Sequence, residues 1–80
     1  MIRSCVVRQP DGRYALFSRE VQNFTHLNLS LDDLLVVCEA FAFSTVWVNR
    51  QVRRPTLWHV ACRARDTFQK TRHRDDFPHA

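Results

Sequence analysis

The apolar and polar residues at the start of the chain follow a pattern that is typical of β-strands. Residues 2–9 and 13–18 are rich in β-forming side chains, and Pro10-Asp11-Gly12 separates the two runs. Gly12 is the only glycine in the chain, and glycine adopts a positive φ in a turn at no steric cost. We therefore predict a β-hairpin.

A third run, residues 24–29, alternates two sets of side chains, and Leu27 and Leu29 belong to the set that would face a core. Such alternation predicts a half-buried strand. The first part of the chain is therefore either an antiparallel hairpin or a three-stranded meander.

Ser30 begins a segment with helical periodicity. Its hydroxyl can cap the free N–H groups of a first turn, and Asp32 and Asp33 lie where the helix dipole favours negative charge. From Leu31 onward, apolar residues recur at intervals of three and four. They predict a long helix that covers the sheet with one face, formed by Leu34, Leu35, Cys38, Ala42, Thr45 and Val46.

A second apolar series lies on the far side of the same predicted helix and consists of Val36, Ala40, Phe43 and Trp47. A helix that is apolar on two faces is either enclosed or exposes a patch to a partner, which includes a second copy of the chain. Residues 43–48 are also rich in β-branched and aromatic residues, so a strand is the alternative there. Periodicity does not decide between the two.

Pro55 predicts the end of this element and the start of a last helix, because proline suits a first helical turn and restricts the residue before it. Residues 73–80 have no apolar period and predict a frayed tail after a single domain, residues 1–72. The predicted fold class is α+β: an antiparallel β-hairpin or three-stranded meander, then a long helix and a second shorter helix, in two layers.

Charge is concentrated in the second half of the chain. The formal net charge is +4, yet residues 1–49 carry four basic and five acidic residues. Residues 50–74 carry eight basic residues and one acid, Asp66, a local charge of +7. Three widely spaced cysteines indicate a reducing compartment, and neither a signal peptide nor a membrane span is recognisable, so we expect a cytoplasmic protein.

Signatures of catalysis and cofactor binding are missing from the sequence. One glycine cannot build a glycine-rich phosphate loop, and there is no Gly-x-Ser-x-Gly motif. His59, Cys62 and Cys38 are a candidate zinc set, but their spacing lacks paired ligands and is more typical of packing. We expect no enzyme activity, no cofactor and no metal.

Arginines dominate the basic half, and their planar guanidinium groups bind carboxylates and phosphates through paired hydrogen bonds. They support two functions, which are binding to a protein and binding to nucleic acid through the basic face of the last helix. The candidate partner-binding residues are Phe43, Trp47, Arg50, Arg53, Arg54, Arg63 and Lys70.

Three segments resemble the opening of small phage and mobile-element proteins: Asp11–Ser18, Asn23–His26 and Leu29–Leu34. In size, arginine content and lack of catalytic motifs, the chain is also similar in type to anti-CRISPR proteins. That resemblance implies a non-enzymatic inhibitor in a bacterial host cell. Its partner would be a CRISPR effector, such as a type I Cascade-like surveillance complex, and it would block target DNA binding or nuclease recruitment. The alternative is a small basic nucleic-acid-binding regulator; in either case the chain would act as a monomer or homodimer.

Overall fold

The predicted hairpin is the first element of the computed structural model, which describes residues 3–76 and the side chains of residues 3–71. Strand β1 (Ser4–Arg8) pairs antiparallel with β2 (Tyr14–Ser18). In the turn, Gly12 has φ 89° and its N–H donates to the carbonyl of Gln9 at 3.0 Å. The only glycine is therefore in the left-handed region, as the sequence predicted.

Strand β3 (Asn23–Leu29) pairs antiparallel with β2, and the two-residue strand β4 (Thr56–Leu57) pairs in parallel with β1. The strand order is β3-β2-β1-β4, which puts β1 in the middle of the sheet. Register shifts between β2 and β3 interrupt the simple alternation of β3. Leu29 therefore packs against the core as predicted, whereas Leu27 is 50% exposed, contrary to its predicted position.

Within residues 3–76, three helices accompany the strands: α1 (Leu31–Ala40), α2 (Thr45–Arg53) and α3 (Trp58–Asp76). The predicted cap of α1 is confirmed, because the backbone N–H of Asp33 donates to Ser30 Oγ at 3.1 Å. The α+β class, with a strand meander followed by helices, is also confirmed. Residues 73–76, expected in the frayed tail, belong to helix α3, and residues 77–80 lie outside the described residues. The domain boundary at residue 72 stays a prediction.

The long helix expected from Leu31 is divided into α1 and α2 by a left-handed residue, Ala42, at φ 59°. The N–H of Ala42 donates to the carbonyl of Glu39, and the N–H of Phe43 donates to the carbonyl of Cys38, both at 2.9 Å. This pair of bonds is a Schellman motif, which ends a helix. Residues 43–44 are therefore a loop and residues 45–48 are helical, so the alternative strand does not form.

Ala42 occupies a position where glycine is the usual residue, and this predicts a stabilising substitution. An L-residue in the left-handed region costs about 1–2 kcal/mol, and the larger unfolded-state entropy of glycine offsets about 0.4–1 kcal/mol of any gain. We expect Ala42→Gly to raise the free energy of unfolding by up to about 1 kcal/mol in urea denaturation. The control Ala40→Gly, within α1, should lower it by about 0.5 kcal/mol. A loss of stability in Ala42→Gly would contradict the left-handed conformation.

Helices cover both faces of the sheet, so the core has two halves. On one face, residues of α1 and α2 pack against β1 and β2, and the buried side chains are Val6, Tyr14, Leu16, Leu34, Cys38 and Val48. On the other face, α3 packs against the same strands, and the buried side chains are Cys5, Val7, Ala15, Phe17 and Ala61. The sheet is thus the middle of three layers, whereas two layers were expected. The reason is that every residue from Tyr14 to Phe17 is buried, so both faces of β2 need a cover. The last helix was expected to be the shorter one, but α3 is the longest of the described helices.

Candidate functional site

The outer face of α2 carries predicted partner-binding residues. Helix α2 begins at a serine cap, because the backbone N–H of Trp47 donates to Ser44 Oγ at 3.1 Å. Val48 and Val52 turn toward the core. This rotation exposes the opposite side of the helix, where residues recur at a spacing of three and four positions. We term these exposed residues the α2 stripe: Val46, Asn49, Arg50 and Arg53. Arg54, directly after the helix, is also exposed.

One side-chain hydrogen bond fixes the rotation of α2 on the sheet. The backbone N–H of Val6, in β1, donates to Gln51 Oε1 at 3.1 Å. Strand β4 pairs only with Val7 and Arg8, so Gln51 satisfies a donor that the short β4 does not reach. The bond and the buried Val48 together keep the α2 stripe on the solvent side.

No carboxylate in the local sequence balances the arginines of α2. Residues 40–65 contain five arginines and no aspartate or glutamate. Among the described side chains, the only ion pair joins Arg65 to Asp66 at 3.1 Å, on α3. Arg50 and Arg53 also lie in the last turn of α2, where positive charge stabilises the negative end of the helix dipole. That structural role does not explain the exposed Val46 beside them.

Phe43 and Trp47 lie beneath the outer face of α2 and not on it. Their ring centroids are 4.7 Å apart, and Phe41 stacks on Phe43 at 5.7 Å. Phe43 and Trp47 are half-buried and pack against the core, whereas Phe41 is 54% exposed. The break at Ala42 rotates residues 43–47 relative to α1, so the far-side series expected along one helix does not form a continuous stripe. Sequence reasoning did not single out Phe41, which lies directly before the break.

Arg63 and Lys70 are exposed on α3, which covers the face of the sheet opposite to α2. The predicted partner-binding residues therefore form two groups on different layers. Lys70 follows Arg63 by seven positions, which places both on the same side of α3. The neighbouring Arg65 is already engaged, because its Nε donates to Asp66 and its guanidinium lies 5.7 Å from the centroid of the Phe24 ring.

A groove of about 400 Å³ lies between α1 and α2, with Leu35, Ala42 and Thr45 among its lining residues. On its α1 side, a second outward series repeats the spacing of the α2 stripe, and we term it the α1 stripe: Asp32, Leu35, Val36 and Glu39. Sequence reasoning assigned Leu35 to the core, but its side chain is 44% exposed. The apolar spacing had been followed beyond the end of α1, through the helix break. Within α1 alone, the side opposite the buried Leu34 is the α1 stripe.

The candidate zinc set is divided by the sheet. Cys38 is buried between the sheet and α1, whereas His59 and Cys62 belong to α3 on the other face. Burial raises the pKa of the Cys38 thiol, which keeps it protonated and makes it a poor metal ligand. In the described part of the chain, no three His, Cys, Asp or Glu side chains are placed to hold a metal ion.

The α1/α2 layer is an open surface, with carboxylates on α1, arginines on α2 and a groove between them. None of the helices within residues 3–76 combines the length and apolar character needed to cross a membrane. Comparison of the chain with models of known protein families, with curated proteins and with solved structures found no match.

Proposed function

We propose that this chain is a non-enzymatic binding protein that uses the α2 stripe and Arg54 to dock on an acidic surface of a partner protein. One observation supports the proposal most: three arginines are exposed beside Val46, which is 66% exposed, and no ion pair engages them among the described side chains. Arginine is enriched at protein interfaces, and its strongest contributions are made beside apolar contacts that exclude water.

A protein partner fits the α1/α2 layer better than nucleic acid does. A phosphate backbone that extended across the whole layer would meet Asp32 and Glu39 of the α1 stripe, which repel it, and exposed apolar side chains that it cannot cover. Surfaces that bind single strands combine basic residues with accessible aromatic rings on which bases stack. Phe43 and Trp47 are half-buried beneath α2 and offer little ring surface for stacking.

The specific activity we propose is inhibition of a CRISPR effector, such as a type I Cascade-like surveillance complex, in the cytoplasm of a bacterial host. Its support is the similarity in type to anti-CRISPR proteins, which rests on size, arginine content and the lack of catalytic motifs. Such an inhibitor acts stoichiometrically and without turnover. It would block either target DNA binding or nuclease recruitment.

A second function is favoured by α3. Arg63 and Lys70 are exposed on one side of this helix, on a layer separate from the carboxylates of the α1 stripe. A nucleic-acid-binding regulator would use this side of α3 against a phosphate backbone. Its affinity would fall log-linearly as the salt concentration rises, because counterions are released on binding.

Reversing the charge of two matched pairs separates these functions. Arg50→Glu/Arg53→Glu changes α2, and Arg63→Glu/Lys70→Glu is the control on α3. If a protein partner binds α2, the α2 variant should inhibit DNA cleavage by a reconstituted type I effector at least about 30-fold less well, the equivalent of a hot spot of about 2 kcal/mol. The α3 variant should inhibit as well as the wild type.

The same three proteins would be titrated with labelled duplex DNA, single-stranded DNA and RNA at several salt concentrations. Salt-sensitive binding that only the α3 variant loses would favour the regulator. Equal inhibition by the wild type and the α2 variant would contradict docking through α2. A wild type that does not inhibit would contradict the proposed effector.

A further inference from the structure

The α1 stripe and the α2 stripe occupy equivalent positions on their helices. Both follow the spacing i, i+3, i+4, i+7 and point away from the core, opposite Leu34 in α1 and opposite Val48 in α2. Helices α1 and α2 cover the same face of the sheet, and residues of both line the groove between them. The two stripes therefore form one outward-facing layer.

The two helices of this layer carry opposite charges. Helix α1 has three carboxylates and no basic residue, whereas α2 has two arginines and no acid. The carboxylate of Asp33 accepts the Ser30 N–H in the capping box, but Asp32 and Glu39 are exposed, and no described basic side chain pairs with them. The layer is thus negative on one side and positive on the other.

Apolar side chains lie among these charges. Leu35 is 44% exposed, and Val36 and Val46 are each 66% exposed. Apolar side chains that cluster on the surface of a small protein mark an interaction site. A cover for this layer must therefore contact apolar residues and complement both signs of charge.

We infer that a second copy of this chain covers the layer, with α1 of each protomer against α2 of the other about a twofold axis. A twofold rotation brings the acidic stripe of each copy to the basic stripe of the other, and both contacts form together in an isologous interface. A ligand of one sign that extended over both stripes would be repelled by one of them. The layer's own charge pattern therefore selects a second copy.

The expected dimer is weak because the layer is small. Helices of 10 and 9 residues are about 15 Å long and together about 20 Å wide. Such a layer buries less than the roughly 800 Å² per partner of a standard interface, so we expect a dissociation constant on the order of tens of micromolar. The inference does not rest on the proposed function, although a protein partner on α2 and the second copy would compete for Arg50 and Arg53.

Sedimentation equilibrium over about 1 μM to 1 mM protein tests the inference, and the mean mass should rise from monomer to dimer across this range. Two charge variants should each dimerise at least about tenfold more weakly, because like charges then face each other in both contacts. They are Arg50→Glu/Arg53→Glu and Asp32→Lys/Glu39→Lys. Their equimolar mixture should dimerise again, because both contacts of the mixed dimer pair opposite charges.

A wild type that stays monomeric to about 1 mM would overturn the inference, as would a mixture that does not dimerise. Should a charge variant lose its native circular dichroism spectrum, Val36→Asp takes its place and should abolish the dimer. Val60→Asp is its control, since Val60 is 47% exposed on α3, and it should dimerise normally. No effector is present in these experiments, so a monomeric result leaves the proposed inhibition standing, and a failure to inhibit leaves the dimer standing.

Discussion

Leu34→Ala is expected to lower the free energy of unfolding by about 2–5 kcal/mol. Leu34 is fully buried on the inner side of α1, in the cluster that contains Val6 and Leu16. Its removal forfeits the transfer free energy of the side chain and leaves a cavity between two packed layers. A small domain has about 5–15 kcal/mol of stability in total, so the change takes a large share of it.

Leu35→Ala is the matched control, because it removes the same atoms from the next residue of the same helix. Leu35 is 44% exposed, so its truncation should cost less than about 1 kcal/mol. Urea denaturation followed by circular dichroism measures both variants. Equal losses would show that α1 is rotated differently on the sheet.

Phe17→Ala is expected to cost about 3–5 kcal/mol, and it tests the other half of the core. Phe17 is 4% exposed and belongs to the cluster that Ala61 of α3 covers. Its ring meets that of Phe24 edge-on, with centroids 5.3 Å apart, and Phe24 in turn stacks on Trp58 at 4.9 Å. Truncation therefore removes one end of an aromatic row that joins the sheet to α3.

Phe41→Ala is the control for this substitution. Phe41 stacks on Phe43 on the opposite side of the sheet and is 54% exposed, so its loss should cost about 1 kcal/mol or less. The same denaturation experiment compares the two variants. If Phe17→Ala were no more destabilising than Phe41→Ala, α3 would not cover this face of the sheet.

Local chemistry was sufficient to predict the hairpin and the start of α1. The turn at Gly12 and the cap at Ser30 each depend on residues within a few positions of one another. The alternating residues of β3 were harder to place, because the register shifts against β2 are a property of the strand pair. Leu27 was assigned to the wrong side for this reason.

The helix break was missed because alanine carries no local signal for a left-handed conformation. A helix pattern was therefore extended through Ala42. It placed Leu35 and Val46 on the face that covers the sheet, although both are exposed, and it placed Phe43 and Trp47 on the far side, although both pack against the core. The cap at Ser44 was the one available signal, since serine directly before a helical run is typical of an N-terminus.

The candidate site was predictable only in part, because helical periodicity places residues within one helix but does not place one helix relative to another. The exposure of Arg50 and Arg53 follows from the periodicity of a single helix, and Arg54 lies directly after that helix. That Arg63 and Lys70 lie on another layer depends on which face of the sheet α3 covers, and the periodicity of α3 does not specify this.

The central position of β1 affects how the protein folds as it is synthesised. Val7 has its parallel partner at Thr56, and within residues 3–76 the helix that covers the sheet face containing Cys5 and Val7 is α3. Pairing between segments so far apart is slow, and uncovered strands are prone to aggregate in the meantime. A nascent chain would therefore expose an unfinished sheet until residues 56–64 leave the ribosome, and we expect it to interact with chaperones during that interval.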